Sequence, residues 1–148
     1  MKTLILSLVL VLSLSCSKSN DANTFTPQTI TPILISKGEV FNGNYNPTYH
    51  SRVFYTQTDW TDFINNTWGT TNAPATAVVD FNLFEVIASF DQPRTTGGFD
   101  INITSAVENQ DNIVIQVSRT GSGDATQMPT RPYHFVKIPK STKTVIFQ

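Results

Sequence analysis

The sequence predicts a mainly β protein: an antiparallel sandwich or barrel-like domain with one short helix at about residues 59–68. Three observations predict it. Apolar and polar residues alternate in several short runs, as in Phe99, Ile101 and Ile103 against Asp100, Asn102 and Thr104. Clusters of Gly, Pro, Asn and Asp separate those runs. Charged residues are only 14% of the chain, with Thr, Ser and Asn abundant, which suits exported β structure with uncharged polar faces.

The N-terminal 15 residues read as a signal peptide rather than as fold. Lys2 precedes an apolar run from Leu4 to Leu14, broken only by Ser7 and Ser13. A mature membrane-spanning helix needs about 20 apolar residues, whereas this run has the length of a signal core. It ends at Leu-Ser-Leu-Ser-Cys16, which resembles the bacterial lipobox. That resemblance implies cleavage before Cys16 and lipidation of Cys16 with acyl chains such as palmitate. The other reading is an ordinary secretory signal with a chance Cys, but Cys16 is the only Cys and stands where a lipobox needs it. Each buried acyl CH₂ contributes about 0.8 kcal/mol, so more than one chain makes a stable membrane anchor. The expected location is the bacterial cell envelope, lipid-anchored at the outer membrane and facing the periplasm or the surface.

Residues 16–31 read as the lipidated Cys and a flexible tether. Ser17 onward is polar, and Pro27 and Pro32 discourage regular structure. Residues 32–148 then form a single domain, long enough for a real core. Ile33-Leu34-Ile35 opens it, with Val40-Phe41 as a continuation beyond a Lys37-Gly38 turn. Gly43 to Pro47 is a turn cluster, and Arg52 to Thr56 a strand. Thr58 offers a helix N-cap, with Asp59 and Asp62 near the positive helix end. Trp60, Phe63, Ile64 and Trp68 follow at helical spacing, and Gly69 is placed to end the helix. Leu83 to Phe90 reads as a buried strand. Phe99 to Thr104, which Val107 extends, and Ile113 to Val117 alternate around a turn at Asn109 to Asn112. Gly121 to Thr130 is a longer loop. Tyr133 to Ile138 and Thr144 to Phe147 close the chain.

The chemistry is narrow. No intramolecular disulfide and no thiolate cluster can form with one Cys. With Lys2 removed from the 10 basic side chains, 9 face 11 acidic ones, a net charge of −2. That excludes the basic excess used to bind nucleic acid. His50 and His134 are the two His residues, and neither has a Ser and carboxylate arranged beside it in sequence. His134 lies in a strand and reads as a cross-strand or surface residue. Asp80, Asp91, Asp100, Asp111 and Asp124 fall at strand ends or loops without calcium-loop spacing. We therefore expect no enzyme, no catalytic residues, no cofactor and no metal.

Three loops remain as candidate binding surface. The first runs from Asp91 to Gly98, with Arg94, Thr95, Thr96, Gly97 and Gly98 leading into Phe99. Read plainly, it is a hairpin that needs Gly; read functionally, it presents donors and acceptors. The second holds Gly121, Ser122 and Gly123. The third is Arg131-Pro132-Tyr133, where Pro132 stiffens the chain beside two residue types favoured as interface anchors. Arg94, Thr95, Arg131 and Tyr133 are the residues expected to touch a partner, with Gly97 and Gly98 shaping the turn.

These residues resemble a known family, the C-terminal domain of the protease complex subunit PrcB. The resemblance rests on Thr58-Asp59-Trp60, on Asp80-Phe81, on Thr96-Gly97-Gly98-Phe99, and on Pro132-Tyr133 with Val136-Lys137-Ile138-Pro139-Lys140. It implies an exported lipoprotein, a non-catalytic protein-binding module that associates with a surface or periplasmic protease and stabilises it. A second resemblance, confined to the loops, is to chagasin-type inhibitors of cysteine peptidases, immunoglobulin-like domains that insert three loops into a protease cleft. Their Asn-Pro-Thr-Thr-Gly-aromatic loop is similar to Pro93 to Phe99, with Gln92 in place of the Asn and Arg94 and Gly98 extra. Their Gly-x-Gly-Gly loop is similar to Gly121-Ser122-Gly123 without the last Gly, and their Arg-Pro-aromatic loop to Arg131-Pro132-Tyr133. This resemblance implies a reversible protease inhibitor. A third reading is a structural or carbohydrate-binding envelope lipoprotein, which requires Tyr45, Tyr49, Trp60 and Trp68 to form an exposed aromatic patch.

Overall fold

β-branched and aromatic runs of three to ten residues pair into two four-stranded sheets with one helix packed outside. The computed structural model describes residues 24–39, 50–68, 78–127 and 129–148. The readings on Cys16, on 40–49 and on Gly69 lie outside those residues, as does the side chain of Trp68. The elements are β1 (Gln28–Ile30), β2 (Ile33–Gly38), β3 (His50–Phe54), α1 (Gln57–Trp68), β4 (Phe84–Phe90), β5 (Phe99–Glu108), β6 (Asn112–Gly121), β7 (Tyr133–Pro139) and β8 (Thr144–Phe147). One sheet has the order β1-β5-β6-β8 and the other β2-β7-β4-β3. The fold is a sandwich and not a closed barrel.

The two faces of the second sheet are buried in different ways. Phe54, Val86, Ala88, Phe90, Tyr133 and Phe135 pack with Trp60, Phe63 and Ile64 of the helix. Ile87, Val136 and Ile138 turn the other way, onto Ile101, Ile103, Ala106, Ile113, Ile115 and Val117 of the first sheet. Alternation by two along β4 and β7 produces this split, and burial on both faces explains why Phe84 to Phe90 shows little apolar–polar alternation. Trp60 is 1% exposed. Its ring lies 5.1 Å from Phe54 and 5.7 Å from Phe135, both edge-on, a geometry aromatic pairs prefer.

Several expectations change. The helix begins earlier than 59, and its cap is not Thr58: Asp59 N donates to Thr56 Oγ1 at 3.2 Å. A Thr two residues upstream has the same capping chemistry, so sequence alone did not separate the two. Gln28–Ile30, read as tether, pairs with Ala106–Glu108 of β5. Pro27 and Pro32 bracket that strand rather than forbid it. Lys37 and Gly38 continue β2 instead of turning, and His50 opens β3. Leu83 is 61% exposed and precedes β4. β8 runs parallel to β6, because the chain crosses between sheets after β7. The first sheet is therefore mixed, not purely antiparallel.

Candidate functional site

β4 ends in Phe90, the last of six consecutive fully buried residues, and the chain must cross to the other sheet before β5. The segment Asp91 to Gly98 is that crossing. It is not a hairpin. Its polar backbone therefore needs partners from elsewhere, and it finds them in the other two loops. Arg94 and Thr130 form a two-way bridge, Arg94 N to Thr130 O at 2.8 Å and Thr130 N to Arg94 O at 3.1 Å. Thr130 Oγ1 donates to Thr96 O at 2.8 Å. Asp124 N donates to Gly97 O at 3.0 Å, and Asp91 N to Pro132 O at 2.9 Å. All three candidate loops thus meet at one end of the sandwich, and Arg131 N ties them to β2 through Glu39 O at 2.8 Å.

The glycines allow this convergence. Gly98, Gly121 and Gly123 have positive φ, of 79°, 100° and 79°, where an L side chain costs roughly 1–2 kcal/mol. At Gly121 an added Cβ would lie 1.9 Å from Gly98 O. At Gly97 an added Cβ would stand 2.8 Å from both Asp124 Oδ2 and Thr126 Oγ1, so these side chains would have to shift.

Electrostatically the end is anchored by Asp91, whose side chain is 2% exposed. Its Oδ2 accepts from Arg94 Nε at 2.9 Å and Nη2 at 2.7 Å. Arg119 Nε approaches its Oδ1 at 3.8 Å. The Arg94 guanidinium also covers the Phe99 ring, 4.4 Å from its centroid. Asp124 accepts from the Thr126 hydroxyl and from Thr126 N, and these bonds, the hydroxyl foremost, hold its carboxyl below its usual range. A groove of about 340 Å³ opens beside this end, lined by Lys37, Gly38, Glu39, Gly98, Phe99 and Asp100. Lys37 Nζ and Asp100 Oδ2 pair across it at 2.8 Å.

The predicted residues divide into two groups. Thr95, Gly98, Gly121 and Ser122 are exposed, while Arg94, Thr96, Phe99, Gly123 and Arg131 are half-buried. Gly97, Pro132 and Tyr133 are buried. Tyr133 packs 4.9 Å from Phe135, and its hydroxyl lies 3.3 Å from Ser36 Oγ. Its surface serves the core, and Arg94 is likewise held by Asp91. The sequence reading missed the anchoring roles of Asp91, Thr130 and Asp124. The one available signal was Asp91 standing three residues before Arg94, directly after the apolar run.

His134 is engaged by backbone rather than by a Ser–carboxylate pair. His134 Nδ1 accepts from Ile103 N at 2.9 Å. Ser89, its cross-strand neighbour, is fully buried, and its hydroxyl pairs with Ser51 Oγ at 2.9 Å. Among the described residues, no three of His, Cys, Asp and Glu gather in a way that could hold a metal ion. Trp60 is buried, which removes it from any exposed aromatic patch; Tyr45 and Tyr49 lie outside the described residues.

This geometry coincides with a match to a family model. Residues 86–139 match the family described as PrcB C-terminal. The matched stretch runs from β4 to the last residue of β7 and contains all three loops. It supports the resemblance carried by Thr96 to Phe99 and by Pro132 to Pro139, while Thr58 to Trp60 and Asp80-Phe81 fall before it. No curated protein and no solved structure matches the chain.

Proposed function

We propose that this protein is a lipid-anchored, non-catalytic module of the bacterial cell envelope that binds an exported protease through its braced loop end. The convergence of 91–98, 121–130 and 130–133 carries the reading. Eight backbone or side-chain hydrogen bonds between loops, strands and Asp91 hold that end in one shape. A surface already ordered loses little entropy when it binds. The PrcB C-terminal match over 86–139 supports a protease as the partner, and lipid on Cys16 accounts for location. Thr95, Ser122 and Arg131 supply the contact, while Arg94, Gly97, Gly98, Gly121, Pro132 and Tyr133 maintain the shape.

The test is cross-linking of the tagged full-length protein in native envelopes, with captured proteins identified by mass. We expect an exported protease in the wild-type sample and its loss in a Thr95→Ala, Ser122→Ala, Arg131→Ala variant that keeps the wild-type thermal transition. Equal capture by both proteins would place the interface elsewhere.

The same convergence favours one second reading, the chagasin-type inhibitor, since those loops also act from one end of a sandwich. It predicts reversible inhibition of a papain-like peptidase. Absence of inhibition at micromolar protein across cysteine and serine peptidases removes it without touching the first reading.

A further inference from the structure

β5 is ten residues long, but β1 covers only its last three, Ala106 to Glu108. Among the described residues the earlier part of that edge has no strand beside it. An uncovered edge presents N–H and C=O groups ready to pair with any passing strand, and proteins blunt such edges with charges and bulges. Both devices are present here. The register shifts between Ile103 and Ser105. Ile101 N–H bonds the Asp100 carboxylate. Ile103 N–H is taken by His134 Nδ1, which reaches over from β7 in the facing sheet.

A histidine as a cap differs from any other in one respect. Its bare nitrogen accepts a hydrogen bond only while the ring is neutral. Once protonated, Nδ1 carries a hydrogen that points at the Ile103 N–H, and the contact becomes donor against donor. We propose that His134, flanked by Lys37 of β2 and Asp100 of β5, is an acid-released latch on the open edge of β5. Burial keeps the ring neutral first, Lys37 adds to this, and Asp100 opposes it, so that the imidazole titrates below its ordinary range. The neighbour from β4 is the uncharged Ser89, and the residue opposite Ile103 on β6 is the apolar Val117. Asp100 resists acid better than His134: burial raises its carboxyl, but bonds from Lys37, Asn102 and Ile101 outweigh that and hold it low. As pH falls, the Ile103 cap is therefore released before the Ile101 cap. The latch also adjoins the groove between Lys37–Glu39 and Gly98–Asp100, so acid loosens one wall of the loop end.

Amide hydrogen exchange on the full chain, corrected for intrinsic rates, tests this, with His134 titrated by NMR in the same samples. As pH falls from neutral through the His134 titration, protection of Ile103 should fall about tenfold, with the midpoint of the imidazole titration. Ile87 and Val136, in the β4–β7 ladder, should hold their protection. His134→Gln supplies an acceptor that does not titrate, and should leave Ile103 protection flat over that range. If the variant does not fold, the wild-type comparison still decides. Constant Ile103 protection through the His134 titration, or a midpoint that differs from it, overturns the proposal. So does a folded His134→Gln protein that loses protection at the wild-type midpoint.

Discussion

Asp91 and Glu85 sit near opposite ends of the same strand, β4, and both are almost completely buried. At the loop end, Asp91 meets the fork of Arg94 at 2.7 and 2.9 Å. At the far end, Glu85 Oε2 has a long 3.4 Å contact from Ser141 N, and Oε1 has no hydrogen-bond partner among the described residues. A buried charge is tolerable when paired and bonded, and costly when it is not. The loop end thus pairs its buried carboxylate where it must hold a shape, and the far end carries a carboxyl only partly relieved by Ser141 and Lys140.

The sharpest way to break that contrast is at Gly121. An added methyl group meets Gly98 O at 1.9 Å on a backbone with φ of 100°. Gly121→Ala should destabilise the protein by at least ~3 kcal/mol, combining left-handed strain with overpacking. Denaturant unfolding measures it, and a change under ~1 kcal/mol would show that the loops are not locked together. Asp91→Ala comes next. It strips both bonds from Arg94 and leaves two guanidinium groups facing each other without their carboxylate. We expect a loss of about 2–4 kcal/mol, together with faster exchange of the Arg94 and Thr130 amides.

Glu85→Gln should act in the opposite direction. Burial raises the Glu85 carboxyl above its ordinary range, and the Ser141 N–H and Lys140 only partly offset this. A group with a raised folded pKa adds stability fully below its unfolded value, and that stability is lost as pH rises through the folded value. Wild-type stability from this site should therefore be present in acid and absent near neutrality. The variant should be more stable than wild type at pH 7 by about 1–2 kcal/mol, with the difference shrinking toward pH 4. Wild type and variant with parallel pH–stability curves would mean that Glu85 is solvated after all.

The contrast also explains what could be read in advance. Strand alternation from Phe99 to Ile103 and from Ile113 to Val117 was legible because one face of each strand is core. The helix was legible from Trp60, Phe63 and Ile64. The three loops were legible as Gly and Pro clusters, but their convergence was not. It depends on the crossing between sheets after β4, and no local pattern records which sheet the next strand joins. The same blindness made Tyr133 look like an anchor, since an aromatic beside Arg-Pro has the same letters whether it faces solvent or Phe135. It also hid β1, whose three residues carry no alternation signal and acquire meaning only against Ala106 to Glu108.

The smallest effect on stability carries the most functional information. Thr95 and Ser122 are exposed, and no hydrogen bond from either side chain contributes to the bracing described above. Exposed substitutions of this kind change stability by roughly 0.5 kcal/mol or less. Thr95→Ala with Ser122→Ala should therefore leave the unfolding transition in place, while Gly121→Ala shifts it strongly. If the loop end is an interface, the silent double variant still weakens capture of the protease, because hydroxyls at a partner's surface leave unpaired groups behind when removed. The pairing of these two variants separates shape from contact. Loss of capture only in Gly121→Ala would mean that the loops support a surface located elsewhere. Loss in the double variant, at unchanged stability, puts the contact on the loops themselves.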